Sequence, residues 1–212
     1  MTNFVLVHGA MHGAWCWSRV VPLLEADSRV GDVIAVDLPG RGATRDAKPL
    51  SEITLDDYVE HVVGEIEGRD LHDVVLVGHS LAGLTLPPVS HRVRSRMRRV
   101  VYLAASFPGE GRCVNELMDH PLSPVTRGVS VETMFCNDLD EETSQWLLSQ
   151  LCEEPPRLME EPVKISQAPP GLACTFVVLG RDETLPPDYQ REQAQTAAAR
   201  PRELAELLLG YA

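Results

Sequence analysis

The segment Gly78-His79-Ser80-Leu81-Ala82-Gly83 is the part of this 212-residue chain best suited to covalent chemistry. It follows the apolar run Val74 to Val77 and leads into an apolar stretch of helical character, the strand-to-helix context that a G-x-S-x-G nucleophile turn requires. At such a turn the serine backbone is strained, flanking glycines let strand and helix approach closely, and Oγ stands exposed over the end of the sheet. The helix N-terminus behind it favours developing negative charge. Acyl transfer also needs two backbone N–H groups aimed at the oxyanion, one after the nucleophile and one from the turn after an early strand. Leu81 occupies the first place. His8-Gly9-Ala10-Met11-His12-Gly13 follows the apolar run Phe4 to Val7 and puts Ala10 at the second. His8 and His12 have the i, i+4 spacing of a metal pair, but no third ligand type lies near them, so no metal and no cofactor is expected.

The elements that must position these residues are legible as an alternation of short β-branched runs with helical periodicity. Phe4 to Val7, Val33 to Val36, Val74 to Val77, Val100 to Leu103 and Thr175 to Leu179 read as buried parallel strands. Trp15, Trp17, Val20, Val21 and Leu24 repeat at helical spacing. So do Leu55, Tyr58, Val59, Val62, Val63 and Ile66, after a Thr54/Asp57 capping box and before Gly68. The expected fold class is α/β, a mostly parallel sheet with helices on both faces and right-handed crossovers. The rhythm breaks between about Gly109 and Gly171, where Trp146, Leu147, Leu151 and Cys152 form a helical stripe after Asp140. We read 1–212 as a single domain with an inserted helical cap at about 109–171. Pro87-Pro88 predicts a short or kinked helix behind the serine. The basic run His91 to Arg99, between a helix end and a strand, reads as a solvated loop that complements the helix dipole.

Composition narrows the partners. Hydrophobic residues make up 44%, charged residues 24% and aromatics 5%, which fits a folded chain with an aliphatic core. Lys and Arg total 19 against 31 Asp and Glu, a net charge of −12, and that field repels phosphate backbones and anionic headgroups. Neither nucleic acid nor a membrane is an expected partner; a small-molecule ester or apolar ligand is. Five scattered cysteines without a C-x-x-C pair, and a first stretch without leader character, predict a cytoplasmic protein.

Taken together, Phe4 to Trp15, Asp37-Leu38-Pro39-Gly40-Arg41-Gly42, Gly78 to Gly83, Met134-Phe135-Cys136-Asn137-Asp138, Gly180-Arg181-Asp182-Glu183 and Pro201 to Ala205 resemble the α/β-hydrolase superfamily. The branch resembled contains methyl-ester esterases, hydroxynitrile lyases and bacterial esterase relatives. The resemblance implies a triad in the order serine, acid, histidine, with Ser80 as nucleophile and Asp182, after the fifth strand, as acid. Gly9 stands where hydroxynitrile lyases carry a catalytic threonine, which favours ester cleavage over cyanohydrin cleavage. The family's last strand and Gly-His turn have no counterpart: only 18 residues separate Asp182 from Pro201, and the last histidine is His120. The sequence therefore predicts a sheet without its last strand, a final helix over Pro201 to Tyr211, and no family base. His12 and His120 are the candidates for a recruited base, while His79 is expected to point away from the pocket. The predicted function is a carboxylester hydrolase with impaired or repurposed chemistry; the alternative is a small-molecule binding protein or a cofactor-free lyase or cyclase. A strand left at the sheet edge is a motive for a homodimer.

Overall fold

In the computed structural model the described residues are 1–196. The expected final helix, and most of the interval from Ala194 to Pro201 where no strand is predicted, lie outside them. Five strands form one parallel sheet in the order β2-β1-β3-β4-β5: β1 Thr2–Val7, β2 Val30–Val36, β3 Val74–His79, β4 Met97–Leu103 and β5 Ala173–Val177. All five are the runs read from the sequence, with shifted ends. β5 stops at Val177 because Leu179 leaves the ladder: its N–H donates to Gln190 Oε1 at 2.8 Å and its carbonyl accepts from Asp182 N.

Helix α1 (Val21–Glu25) links β1 to β2, α2 (Leu55–Gly68) links β2 to β3, and α3 (Leu86–Arg92) links β3 to β4. Four short helices, α4 (Val114–Met118), α5 (Val131–Cys136), α6 (Glu141–Gln150) and α7 (Pro156–Glu160), fill the interval between β4 and β5, and α8 (Pro187–Thr196) follows β5. The capping box forms as expected: Asp57 N–H donates to Thr54 Oγ1 at 3.1 Å and Thr54 N–H to Asp57 Oδ2 at 2.8 Å. Asp140 caps α6 through Thr143 N–H at 2.7 Å.

One sheet face carries the core. Val5, Val7, Val74, Leu76, Val100, Tyr102 and Phe176 pack against Tyr58, Val59, Val62, Val63 and Ile66 of α2 and Leu86 and Val89 of α3. On the other face, Phe4, Leu6, Val75, Val77, Val101, Leu103 and Val177 line a groove with Trp17, Val20 and Leu24. The continuous first helix expected over Trp15 to Leu24 is not formed. A 3-10 turn at Ala14–Trp17 is followed by the five-residue α1, and Leu23 is left exposed. Pro22 explains the break, since it has no N–H to give the carbonyl one turn back and sits instead in the first turn of a new helix. The basic run is tied to acidic neighbours, Arg92 to Glu60 at 2.6 Å, Arg96 to Asp70 at 2.8 Å and Arg98 to Asp73 at 3.1 Å.

The order of strands decides where chemistry can happen. The chain leaves β1 for β2 on one side and β3 for β4 on the other, so the connections that follow β1 and β3 run to opposite sides and leave a crevice at the carboxyl ends of these two neighbours. Val7 pairs with Gly78 there.

Candidate active site

Ser80 immediately follows β3 with φ +51°, left-handed for a residue with a Cβ. Such a conformation costs on the order of 1–3 kcal/mol and persists only where neighbours enforce it. Here the Ser80 carbonyl accepts from Ser106 N–H at 3.0 Å, and the chain turns at once into a 3-10 segment, Ser80–Leu84. The second glycine of the G-x-S-x-G pattern is Ala82 in this chain, and Gly83 makes the close approach: a Cβ there would collide with the Ser106 backbone oxygen. At Gly78 a Cβ would lie 2.5 Å from Leu86 Cδ1. The prolines are absorbed by restarting the helix at Leu86, so that they fall in its first turn, where amide N–H groups have no acceptor within the helix.

The turn after β1 meets this elbow. A Cβ on Gly9 would be 2.8 Å from Ser80 Cβ, so glycine is what lets the two turns touch. His12 N–H closes the turn onto the Gly9 carbonyl at 3.4 Å, with Met11 at φ +63°. Among the described residues, the N–H groups of Ala10 and Leu81 donate to no protein acceptor. Two such amides flanking a nucleophile suit an oxyanion.

Ser80 and Asp182 line one cavity of about 400 Å³, together with His12, His79, Ala104, Met134, Phe135, Asn137, Asp138 and Leu185. The segment between β4 and β5 therefore supplies part of the cavity wall. Asp182 is fixed from two directions. Thr184 and Leu185 N–H donate to Oδ1 at 2.8 and 2.9 Å, and Gln190 Nε2 donates to Oδ2 at 3.1 Å. Burial raises its pKa above the ordinary carboxylate value, opposed by those backbone hydrogen bonds.

All seven histidines of the chain lie among the described residues. His8 is buried with both nitrogens engaged, Nδ1 at 2.8 Å from the Gly9 carbonyl and Nε2 accepting from Leu38 N–H at 3.3 Å. Burial pushes its pKa down to about 4. His79 corrects an expectation: it lines the cavity instead of pointing away, because glycine at position 9 leaves its ring room 3.2 Å from where a Cβ would stand. Desolvation lowers it to about 4. His12 also lines the cavity, stacked on Trp15 with ring centroids 5.0 Å apart and edge-on to Phe135 at 4.9 Å. Its Nδ1 lies 2.7 Å from the Ala10 carbonyl, an acceptor only, which assigns the proton to Nδ1 and leaves the Nε2 lone pair free. His120 is elsewhere: Nε2 is 3.2 Å from Glu192, Nδ1 accepts from Leu122 N–H at 3.1 Å, and the ring stacks on Tyr189. Among the described residues none of the seven hydrogen-bonds Ser80 Oγ.

Four residues of this neighbourhood are not singled out by the sequence. Gln190, fully buried, orients Asp182; an inward polar residue between Tyr189 and Gln193 on an otherwise amphipathic helix is the signal that marks it. Arg41, Tyr58 and Glu154 form a buried network under the turn after β1. Arg41 was visible only as part of Asp37 to Gly42, and its partner is 113 residues away.

The fold and this site define a class. Residues 4–208 match the model of the alpha/beta hydrolase family, and the chain belongs to that family. It is 29% identical over 234 residues to methylesterase 3 of Arabidopsis thaliana, covering 97% of this chain and 87% of that protein. It is 35% identical over 124 residues to the carbendazim hydrolyzing esterase of Nocardioides sp. (strain SG-4G); the match takes in 58% of this chain and spans half the length of that enzyme. Among solved structures, a methylesterase from Arabidopsis superposes with a TM-score of 0.72 at 24% identity over 92% of this chain and 85% of that one. Among the described residues no helix is long and apolar enough to cross a membrane.

Proposed function

We propose that the protein is a carboxylester hydrolase of the serine type, acting on small, fairly apolar esters. Ser80 Oγ attacks the carbonyl carbon, the N–H groups of Ala10 and Leu81 receive the oxyanion, and Asp182 is the acid of the triad. The helices of about 109–171 act as the cap whose Met134 and Phe135 give the pocket its apolar wall. The observation that carries this reading is Ser80 itself, strained at the end of β3 and opening onto a cavity shared with a fixed carboxylate. The esterase names of the relatives support it.

Serine is a weak nucleophile until a base takes its proton. With no histidine hydrogen-bonded to Oγ, the chemistry is slow or repurposed. Of the two candidates for a recruited base, His12 shares the cavity and has a free Nε2, whereas His120 is held by Glu192 and Leu122. The same missing contact favours the second reading, a pocket that binds a small apolar molecule or carries out cofactor-free lyase or cyclase chemistry. Incubation with a fluorophosphonate followed by mass spectrometry separates them. The ester reading expects an adduct on Ser80 that Ser80→Ala abolishes. The binding reading expects no adduct, and ligand affinity that survives the substitution.

A further inference from the structure

Below the turn after β1, one carboxylate gathers three donors from three parts of the chain. Glu154, in the segment joining α6 to α7, accepts from Met11 N–H at 2.7 Å and Arg41 Nη2 at 2.8 Å through Oε2, and from the Tyr58 hydroxyl at 3.0 Å through Oε1. Its side chain is 12% exposed and that of Arg41 only 1%, so this ion pair is largely withdrawn from water. Arg41 continues to the turn from the other side, Nε donating to the His12 carbonyl at 3.0 Å and Nη1 to the Gly40 carbonyl at 3.2 Å. Burial raises the Tyr58 phenol, with Glu154 beside it acting in the same direction, which keeps the hydroxyl a donor. The Met11 carbonyl is held as well, by Cys152 N–H at 3.0 Å. Both polar groups of Met11, the one residue of the turn with a left-handed backbone, are thus fixed by the 152–154 segment.

We propose that Glu154 is a positioning residue for the oxyanion turn, through which the segment between α6 and α7 holds Met11 at positive φ and thereby aims the preceding amide, Ala10 N–H, at the reacting centre. The proposal rests on the ester-hydrolase reading of Ser80. Physically, a methionine forced to positive φ has a lower-energy alternative in which the turn relaxes, and that alternative would re-aim the Ala10 peptide. The Glu154 carboxylate opposes it because relaxation would strip a buried anion of its N–H donor and leave only the Arg41 guanidinium and the Tyr58 hydroxyl to compensate. Glu154 touches no reacting atom; it acts through the backbone it holds.

The test uses fluorophosphonate labelling of Ser80 in the wild type, Glu154→Gln and Tyr58→Phe, with the amide exchange rate of Met11 measured by NMR on the same three proteins. Glu154→Gln is expected to label at least tenfold more slowly at saturating probe, with the probe concentration for half-maximal rate changed less than threefold, and its Met11 amide to exchange at least tenfold faster. Tyr58→Phe, which keeps the ion pair and removes one donor, is expected to shift both readings in the same direction by a few-fold, and carries the test if Glu154→Gln does not fold. Wild-type labelling rates in both variants overturn the proposal, as does a loss confined to probe affinity. If the wild type itself does not label, the ester reading fails, and the proposal is then decided by exchange alone: an unchanged Met11 amide in both variants overturns it, and faster exchange in both supports it.

Discussion

Three histidines crowd the carboxyl ends of β1 and β3, and burial keeps them neutral. His8 and His79 are lowered to about 4 and His12 is lowered as well, against an ordinary value near 6.5 in the unfolded chain. Between about pH 6.5 and 4 the unfolded chain therefore binds protons that the folded chain refuses. Stability is full above this window and falls as the pH drops through it, by about 1.4 kcal/mol per pH unit for each of His8 and His79, with His12 adding in the same direction. Asp182, raised by burial, works with the opposite sign, but it is one group against three. Urea midpoints should thus fall steadily from pH 7 to 4.5, and less steeply in a His8→Asn variant; a flat profile over that range would contradict the neutral assignment. At this scale the sequence singles out Ser80 and Asp182, the proposed nucleophile and acid, because each follows a recognisable strand. Gln190, Arg41 and Glu154 were not, because their roles exist only in contacts that folding creates, such as that from Met11 to Glu154 across 143 residues.

Elements set these residues by close approach more than by propensity. The elbow needs the chain after β4 to lie against the start of the 3-10 segment, and Gly83 is the residue that permits it, with Ser106 donating back to the Ser80 carbonyl. Since the obstructing atom is backbone and cannot rotate aside, Gly83→Ala is expected to destabilise by about 1–3 kcal/mol and to lower Ser80 labelling more than tenfold, read by urea unfolding and mass spectrometry. Wild-type values for both would show that the elbow does not depend on this contact. The strands were readable from continuous apolar runs because these parallel strands carry apolar side chains on both faces, one packed in the core and one lining the groove. The helix before β2 was not, since its apolar spacing is genuine but Pro22 cuts the hydrogen-bond ladder beneath it. The end of β5 was misplaced for a related reason: Leu179 is apolar and strand-like, yet its backbone is taken by Gln190.

Across the described residues, the sheet order β2-β1-β3-β4-β5 brings the turn after β1, the elbow after β3 and the loop after β5 to one edge, and α5 with the residues just after it supplies part of the cavity wall there. That convergence follows from α/β topology, so the place of the site was legible once the strands were ordered. Its chemistry depends on what stands between Asp182 and Ser80. A serine site that keeps its oxyanion donors but lacks a triad member retains roughly 10³ to 10⁴-fold acceleration over water. The most direct measurement is the pH profile of p-nitrophenyl acetate hydrolysis by the wild type, Ser80→Ala and His12→Ala. The account predicts slow turnover at that residual level, unaltered by His12→Ala and without an inflection at or below about pH 6.5. Turnover of about 1 per second or more, falling as a group in that pH range is protonated and abolished by His12→Ala, would contradict it and place a recruited histidine beside Ser80.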